Sequence, residues 1–189
     1  MPLPPSVERE ELHLRSIVMR GYRRGDGDYE IEGRVTDTKT RDIQPPGRDT
    51  PMPAGLPIHD MSVRLVVDEF LVVKDVVAVT DAGPFADCPR AAASLAGLKG
   101  ARIAAGWTAR VKSLLGKESC THLVEILIPM ATAAYQTLAE ARFARGDQVD
   151  AAGRPVRIDS CYAYSDAREL VRRRWPVFHK PGKASDAGG

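Results

Sequence analysis

The segment from Cys120 to Glu125 carries the most reactive group of side chains in this sequence. A thiol, an imidazole and a carboxylate, from Cys120, His122 and Glu125, lie within six residues at the start of a long apolar stretch. The 189-residue chain has only four His and three Cys, so two of these rare residues at positions i and i+2 indicate chemistry. The positive end of a helix dipole favours a thiolate or a bound anion at such a place. The segment therefore predicts part of a functional site.

The spacing of Cys120 and His122 predicts half of a site rather than a self-contained pair. Residues two positions apart on a helix point to different sides, so the two groups are not expected to meet. His59 and Asp60 follow a proline-rich loop where a strand begins, and Cys88 lies where predicted strands give way to predicted helices. We expect these element ends to meet and to complete the site.

Two sets of site residues follow from this arrangement. Imidazole and carboxylate groups can move protons, which predicts a catalytic set. Its members are His59, Asp60, His122 and Glu125. Thiolate, imidazole and carboxylate are also ligands of zinc or iron, which predicts a metal site. Its members are Cys88, Cys120, His122 and Asp60. Substrate contacts are predicted for Arg15 and Lys39, which suit an anion, and for Tyr162.

Structural explanations compete with these assignments. A cysteine is often a small buried hydrophobe, which is the preferred interpretation of Cys161 and an open alternative for Cys88 and Cys120. Trp107 lies on the apolar face of a predicted helix and is interpreted as core. The charges of a predicted hairpin are interpreted as solvated, and they include Arg23, Arg24, Asp26 and Asp37.

The pattern of the chain predicts an α+β fold with an antiparallel sheet and helices packed on one side. Alternation and β-branched runs predict four consecutive strands and one later strand; these cover residues 11–24, 29–39, 61–67, 71–79 and 156–164. Helical segments are predicted from Pro89 onward, over 103–115, over 120–144 with a kink at Pro129, and over 166–174. We expect a flexible N-terminus (1–10), a single domain (11–178) and a flexible tail (179–189).

Composition limits the class of protein. The chain is 43% hydrophobic, carries a net charge of +2 and has 28% charged residues, which is typical of an ordinary folded surface with a real core. No segment has the length of a signal peptide core or a membrane span, so we expect a cytoplasmic protein with reduced cysteines. The short Arg172–Arg174 run lacks an aromatic platform, which argues against nucleic-acid binding. A homo-oligomer is compatible with all of this.

Several short motifs together resemble one bacterial family. They are His13-Leu14-Arg15, Gly21 to Gly27, Asp37-x-Lys39, Gly55 to Met61, Pro84 to Cys88, Gly97 to Gly100, Gly106-Trp107 and Cys120 to Glu125. In combination they resemble the domain-of-unknown-function family 2889, over roughly residues 10–178. The pattern departs from that family at Leu14 and Gly25, where a small polar and an acidic residue are expected. The resemblance implies an association with the catabolism of aromatic compounds.

A second resemblance is more distant. The order of strands, a cysteine opening an Ala-rich helix and a late Cys/His pair is similar to iron–sulfur scaffold proteins of the NifU/IscU kind, and the fold could also be SufE-like. This resemblance implies a zinc or cluster site at Asp60, Cys88, Cys120 and His122. This chain departs from the scaffold pattern in two places: the first scaffold cysteine is absent, and the late pair reads Cys-x-His.

Three functions remain open from the sequence. The preferred one is a small-molecule enzyme using acid/base chemistry, metal-assisted or not. We expect a lyase first and a hydrolase second, and the family resemblance implies a role in the catabolism of aromatic compounds. The second is a metal-binding or sulfur-carrying scaffold. The third is a metal-free binding module for a small ligand.

Overall fold

The computed structural model describes residues 3–46 and 49–181. The chain divides into two compact units, Met1–Ala139 and Glu140–Gly189. Part of the predicted N-terminal extension (1–2) and most of the predicted tail (182–189) lie outside the described residues. The single domain predicted over 11–178 stays a prediction.

The first unit contains a four-stranded antiparallel sheet. Its strands are β1 (His13–Arg23), β2 (Tyr29–Lys39), β3 (Pro57–Val67) and β4 (Val73–Ala82), and they pair in the order β1-β2-β3-β4. This confirms the four predicted strands and the α+β class. Strand β3 begins four residues before its alternating stretch, and its pairing with β2 shifts register after Asp37.

Helical segments follow the sheet in the first unit. A 3₁₀ helix covers Cys88–Leu98, α1 covers Trp107–Leu115, a short 3₁₀ turn covers Gly116–Glu118 and α2 covers Thr121–Thr137. Helix α1 begins later than predicted because Gly106, at φ 85°, takes the left-handed conformation. The buried residues of α2 recur at helical spacing; they are Leu123, Ile126, Leu127, Met130 and Ala134. Pro129 lies inside this helix. A separate helix, α3 (Ala139–Ala144), begins at the last residue of this unit and otherwise belongs to the second one.

Helix α2 lies against one face of the sheet at a glycine of β2. A Cβ atom on Gly33 would lie 2.6 Å from Cγ2 of Ile126 and 2.9 Å from Sδ of Met19. Only a residue without a side chain therefore permits this approach of helix and strand.

Replacing Gly33 by alanine is expected to lower the free energy of unfolding by about 1–3 kcal/mol, because overpacking forces the neighbours to move. Urea unfolding followed by circular dichroism measures the effect. The control is Gly25→Ala, where nothing lies within 4 Å of the added Cβ atom. Equal stability of the two variants would contradict the close packing of α2 on β2.

The second unit holds short helices and turns. Helix α4 covers Glu169–Arg174, and 3₁₀ turns cover Tyr162–Tyr164 and Pro176–Phe178. Asp147 accepts hydrogen bonds from Trp175 Nε1 (2.9 Å) and from Arg174 Nη2 (3.1 Å). Among the described residues, no helix is long and apolar enough to cross a membrane.

The strand predicted over 156–164 is wrong. This segment forms turns and the 3₁₀ turn because Asp159 adopts the left-handed conformation (φ 67°), which interrupts an extended chain. Its carboxylate accepts the backbone N–H of Asp166 at 2.9 Å and pairs with Arg154. Local hydrogen bonding of an aspartate thus overrides the alternating pattern.

Candidate functional site

A polar cluster lies at the end of the sheet where β1 and β3 begin and β2 ends. The strand register places Arg15 opposite Asp37 and Asp37 opposite His59. Because side chains alternate between faces along a strand, these three lie on the face that carries α2. The first turn of α2 brings His122 to the same place.

Asp37 is the centre of this cluster. It is only 2% exposed, although it is a charged residue. Its Oδ1 lies 2.8 Å from His13 Nε2 and 2.8 Å from Arg15 Nε. Its Oδ2 lies 2.8 Å from Arg15 Nη2 and 3.0 Å from His59 Nδ1. Because an ionised carboxylate only accepts hydrogen bonds, these two imidazole nitrogens carry protons in this arrangement, and Nε2 of His59 is left as the basic nitrogen.

Three of the four histidines in the chain meet at Asp37. The rings of His59 and His122 are in contact, with centroids 3.8 Å apart and tilted by 32° to each other. Nε2 of His122 lies 3.9 Å from Oδ2 of Asp37, which is too long for a hydrogen bond. The side chains of His59 and His122 keep 17% and 20% of their surface exposed, so a small molecule can reach them.

Arg15 connects the sheet to α2. Its Nη1 donates to both carboxylate oxygens of Glu125, at 2.9 and 2.7 Å, while its other nitrogens hold Asp37. Glu125 lies one turn after His122 on the same helix. The guanidinium therefore fixes the start of α2 over the carboxylate centre, and it is already occupied by two carboxylates.

Cys120 does contact His122, and the expectation that the two groups point apart is wrong. Cys120 is the N-cap of α2, with extended backbone angles (φ −82°, ψ 138°), so helical spacing does not apply to it. Its Sγ lies 3.6 Å from Nδ1 of His122 and 3.9 Å from Sδ of Met61. The thiol of Cys120 therefore lies next to His122, on the far side of that imidazole from Nε2, the neighbour of Asp37.

The cluster perturbs the protonation of its members. Burial alone would raise the pKa of Asp37, but hydrogen bonds from Arg15, His13 and His59 outweigh it and hold that pKa well below its usual range. Burial, followed by the neighbouring His59 and Arg15, lowers the pKa of His122, so this imidazole is neutral at pH 7. The hydrogen bond to Asp37 raises the pKa of Arg15, which stays charged.

The cluster also has the spacing of a metal site. One ligand atom each from Asp37, His59 and His122 lie within 4.8 Å of one another. Within residues 3–46 and 49–181 this is the one group of three or more His, Cys, Asp and Glu side chains with such spacing.

Two residues of the predicted sets lie elsewhere. Asp60 follows His59 directly and therefore lies on the opposite face of the sheet, where its oxygens bond Arg34 Nε at 2.7 Å and Nη2 at 2.5 Å. Cys88 begins the 3₁₀ helix and packs near Gly83, where an added Cβ atom would lie 3.1 Å from its Sγ. Neither belongs to the Asp37 group.

The predicted substrate-binding residues are dispersed. Arg15 lies inside the cluster, as described above. Lys39 lies two residues after Asp37 on the same strand and faces the same side. Tyr162 belongs to the second unit, where it is 75% exposed and the guanidinium of Arg168 lies 3.9 Å from its ring centroid.

Sequence reasoning missed Asp37 and His13. The interpretation of Asp37 as a solvated charge is wrong, and its position in β2 held the signal. Asp37 is an even number of residues from Ile31 and Val35, which are buried. The alternation that predicted the strand therefore places Asp37 on the covered face as well. His13 has no such local signal, because β1 is an edge strand exposed along most of its length.

Comparison with known proteins gives one family. The model of the family described as "Protein of unknown function (DUF2889)" matches residues 13–136. This range holds every residue of the cluster, from His13 to Glu125. Neither the curated proteins nor the solved structures contain a significant match, so the NifU/IscU and SufE resemblances are not confirmed.

Proposed function

We propose that this chain, which belongs to the DUF2889 family, is a small-molecule enzyme that works by acid/base chemistry. The observation that carries this proposal is the hydrogen bond between His59 Nδ1 and the buried Asp37. Such a bond orients an imidazole, leaves its Nε2 free to accept a proton and stabilises the imidazolium that forms. The neutral His122, whose ring contacts that of His59, is available to donate or relay a proton.

A lyase reaction fits this set of groups. Removal of a hydroxyl proton by His59 Nε2 allows cleavage of the adjacent carbon–carbon bond, and the electron pair passes to a neighbouring carbonyl. The proton then returns to the carbon fragment. That the substrate is aromatic rests on the family resemblance alone. The proposal also includes a cytoplasmic location, which the three free cysteines support because thiols persist in a reducing compartment. It includes self-association as a homo-oligomer and no nucleic-acid partner.

The test is turnover of a panel of hydroxylated aryl β-hydroxy ketones, followed by proton NMR. His59→Ala is expected to lower turnover by about 10²- to 10⁴-fold, the usual contribution of a general base. The control is His179→Ala, which removes a histidine of the second unit that lies outside the cluster. A wild-type protein that leaves the whole panel unchanged, or a His59→Ala variant with full turnover, would argue against the proposal.

A thiol-dependent hydrolase is the second candidate, favoured by the 3.6 Å approach of Cys120 Sγ to His122 Nδ1. In that reaction the sulfur attacks an acyl carbon, its proton passes to His122 and then to the leaving group, and water releases the acid. Cys120→Ala would abolish hydrolysis of an aryl ester by this route. The same substitution would leave the His59-dependent reaction in place, which separates the two candidates.

A further inference from the structure

We propose that Asp37, His59 and His122 bind one divalent first-row transition metal, such as zinc or iron(II). The ligand atoms are Oδ2 of Asp37, Nδ1 of His59 and Nε2 of His122. The inference goes beyond the proposed function: it describes the same side chains with an ion bound, a state in which Nδ1 of His59 is a ligand and Nε2 carries the proton.

The distances between the ligand atoms suit a common metal ion. Metal–nitrogen and metal–oxygen bonds of about 2.0–2.2 Å place two ligands of one ion about 3.0–3.5 Å apart. The Oδ2–Nδ1 separation is 3.0 Å and the Oδ2–Nε2 separation is 3.9 Å. The first distance already lies in this range, and a small rotation of the His122 side chain would bring the second into it. The metal takes the place of the proton that His59 otherwise shares with Asp37.

The environment of His122 supports a cation at this point. Its Nδ1 lies 3.6 Å from the sulfur of Cys120, and a proton on Nδ1 would leave an unprotonated Nε2 3.9 Å from Oδ2 of Asp37. A lone pair and a carboxylate 3.9 Å apart repel each other unless a cation lies between them. The distance is also too long for a direct hydrogen bond, whereas two bonds of about 2 Å to one ion could span it.

The groups around the ligands have the character of a metal site's supporting shell. Oδ1 of Asp37 is held by His13 and Arg15, and Oδ2 also accepts from Arg15 Nη2 at 2.8 Å, so the carboxylate is fixed in place and only one lone pair of Oδ2 remains for an ion. With neutral imidazoles, the formal charge of Asp37, Glu125 and Arg15 sums to −1, which favours a cation. Two histidines and one carboxylate leave coordination positions open, as catalytic rather than structural sites do.

The ligands of the proposed site differ from the metal ligands predicted from the sequence. That set combined Cys88, Cys120 and Asp60 with His122, but Asp60 is bonded to Arg34 on the other face of the sheet. Within the described ranges, no thiol joins the three-residue group. The proposed site is therefore a nitrogen–oxygen site.

The experiment is a titration of the EDTA-treated, full-length protein with Zn²⁺ by calorimetry and with Co²⁺ by visible absorption. We expect one ion per chain. His122→Ala and His59→Ala should each weaken binding by more than about 100-fold, and His13→Ala by about 10- to 100-fold as a supporting residue. The controls are Asp60→Asn and His179→Ala, which should bind as the wild type does. Circular dichroism checks that each variant is folded, and a glutamine at the same position replaces any histidine-to-alanine variant that is not.

The outcomes separate this inference from the proposed function. A wild-type protein that binds neither ion, or equal affinity in His122→Ala and His179→Ala, would overturn the metal site. Turnover of the ketone panel by a protein that binds no metal leaves the acid/base proposal standing and refutes the metal. Metal binding without turnover of the panel supports the site and contradicts the proposed reaction.

Discussion

Replacing Asp37 by asparagine is expected to lower the free energy of unfolding of the metal-free protein by about 2–3 kcal/mol. The carboxylate accepts hydrogen bonds from His13, Arg15 and His59 while only 2% exposed. An amide at this position would turn an N–H₂ group toward donors and leave the Arg15 charge without one of its two carboxylates. Urea unfolding in the presence of EDTA measures the change.

The matched control is Asp60→Asn, which removes an arginine-bound carboxylate from the opposite face of the sheet. Asp60 is itself only 7% exposed, but its one partner, Arg34, is 57% exposed and can return to water, so the loss should be smaller than that of Asp37→Asn. A larger loss for Asp60→Asn than for Asp37→Asn would contradict the central role of Asp37.

The effect of Asp37→Asn also depends on pH. The pKa of Asp37 is lowered in the folded protein, so the unfolded chain binds a proton more readily. The stabilisation is therefore fully present above the pKa of the unfolded carboxyl, about 4, and is lost as the pH falls toward the lower folded value. The stability difference between wild type and variant should narrow below about pH 4. A difference that stays constant down to pH 2 would mean that the hydrogen bonds do not favour the ionised form.

Replacing Trp107 by alanine is expected to cost about 3–5 kcal/mol of unfolding free energy. The indole is 5% exposed, and its Nε1 donates to the backbone carbonyl of Leu127 at 2.8 Å. It therefore joins α1 to α2 within the helix turn that precedes Pro129. This agrees with the interpretation of Trp107 as core rather than as a site residue.

Two further variants divide this effect into its parts. Trp107→Phe keeps most of the ring and loses the hydrogen bond, so it should cost about 1–2 kcal/mol. Leu114→Ala should cost less than about 1 kcal/mol, because Leu114 is 36% exposed while Leu115 is the buried neighbour. Chemical unfolding followed at 222 nm measures all three. The packing is contradicted if Leu114→Ala is the most damaging of them.

The elements that hold the site were largely predictable. Alternating side chains give strands wherever one face is buried, and this pattern located β2 with its correct ends and β3 in part. The rare side chains near element ends also pointed to His59 and His122, which do meet. Both conclusions depend on periodicity and position, which are local properties of the chain.

Other features depended on local geometry that residue spacing does not carry. The N-cap conformation of Cys120 brings its thiol to His122, although two residues apart on a helix would separate them. The left-handed Asp159 converts an alternating segment into turns. In each case the φ and ψ angles of one residue decide the outcome.

By itself, then, the sequence determined that Cys120, His122 and His59 lie at element ends of an α+β fold. Only the tertiary structure decided which groups join them. The pairing register of β1, β2 and β3 places Arg15, Asp37 and His59 side by side, and the glycine at position 33 lets α2 approach closely enough to bring His122 over them. The same alternation of side chains places Asp60 on the opposite face of the sheet, away from this cluster. Contacts between residues as much as 110 positions apart, such as Arg15 with Glu125, are formed by this packing and leave no trace in local pattern.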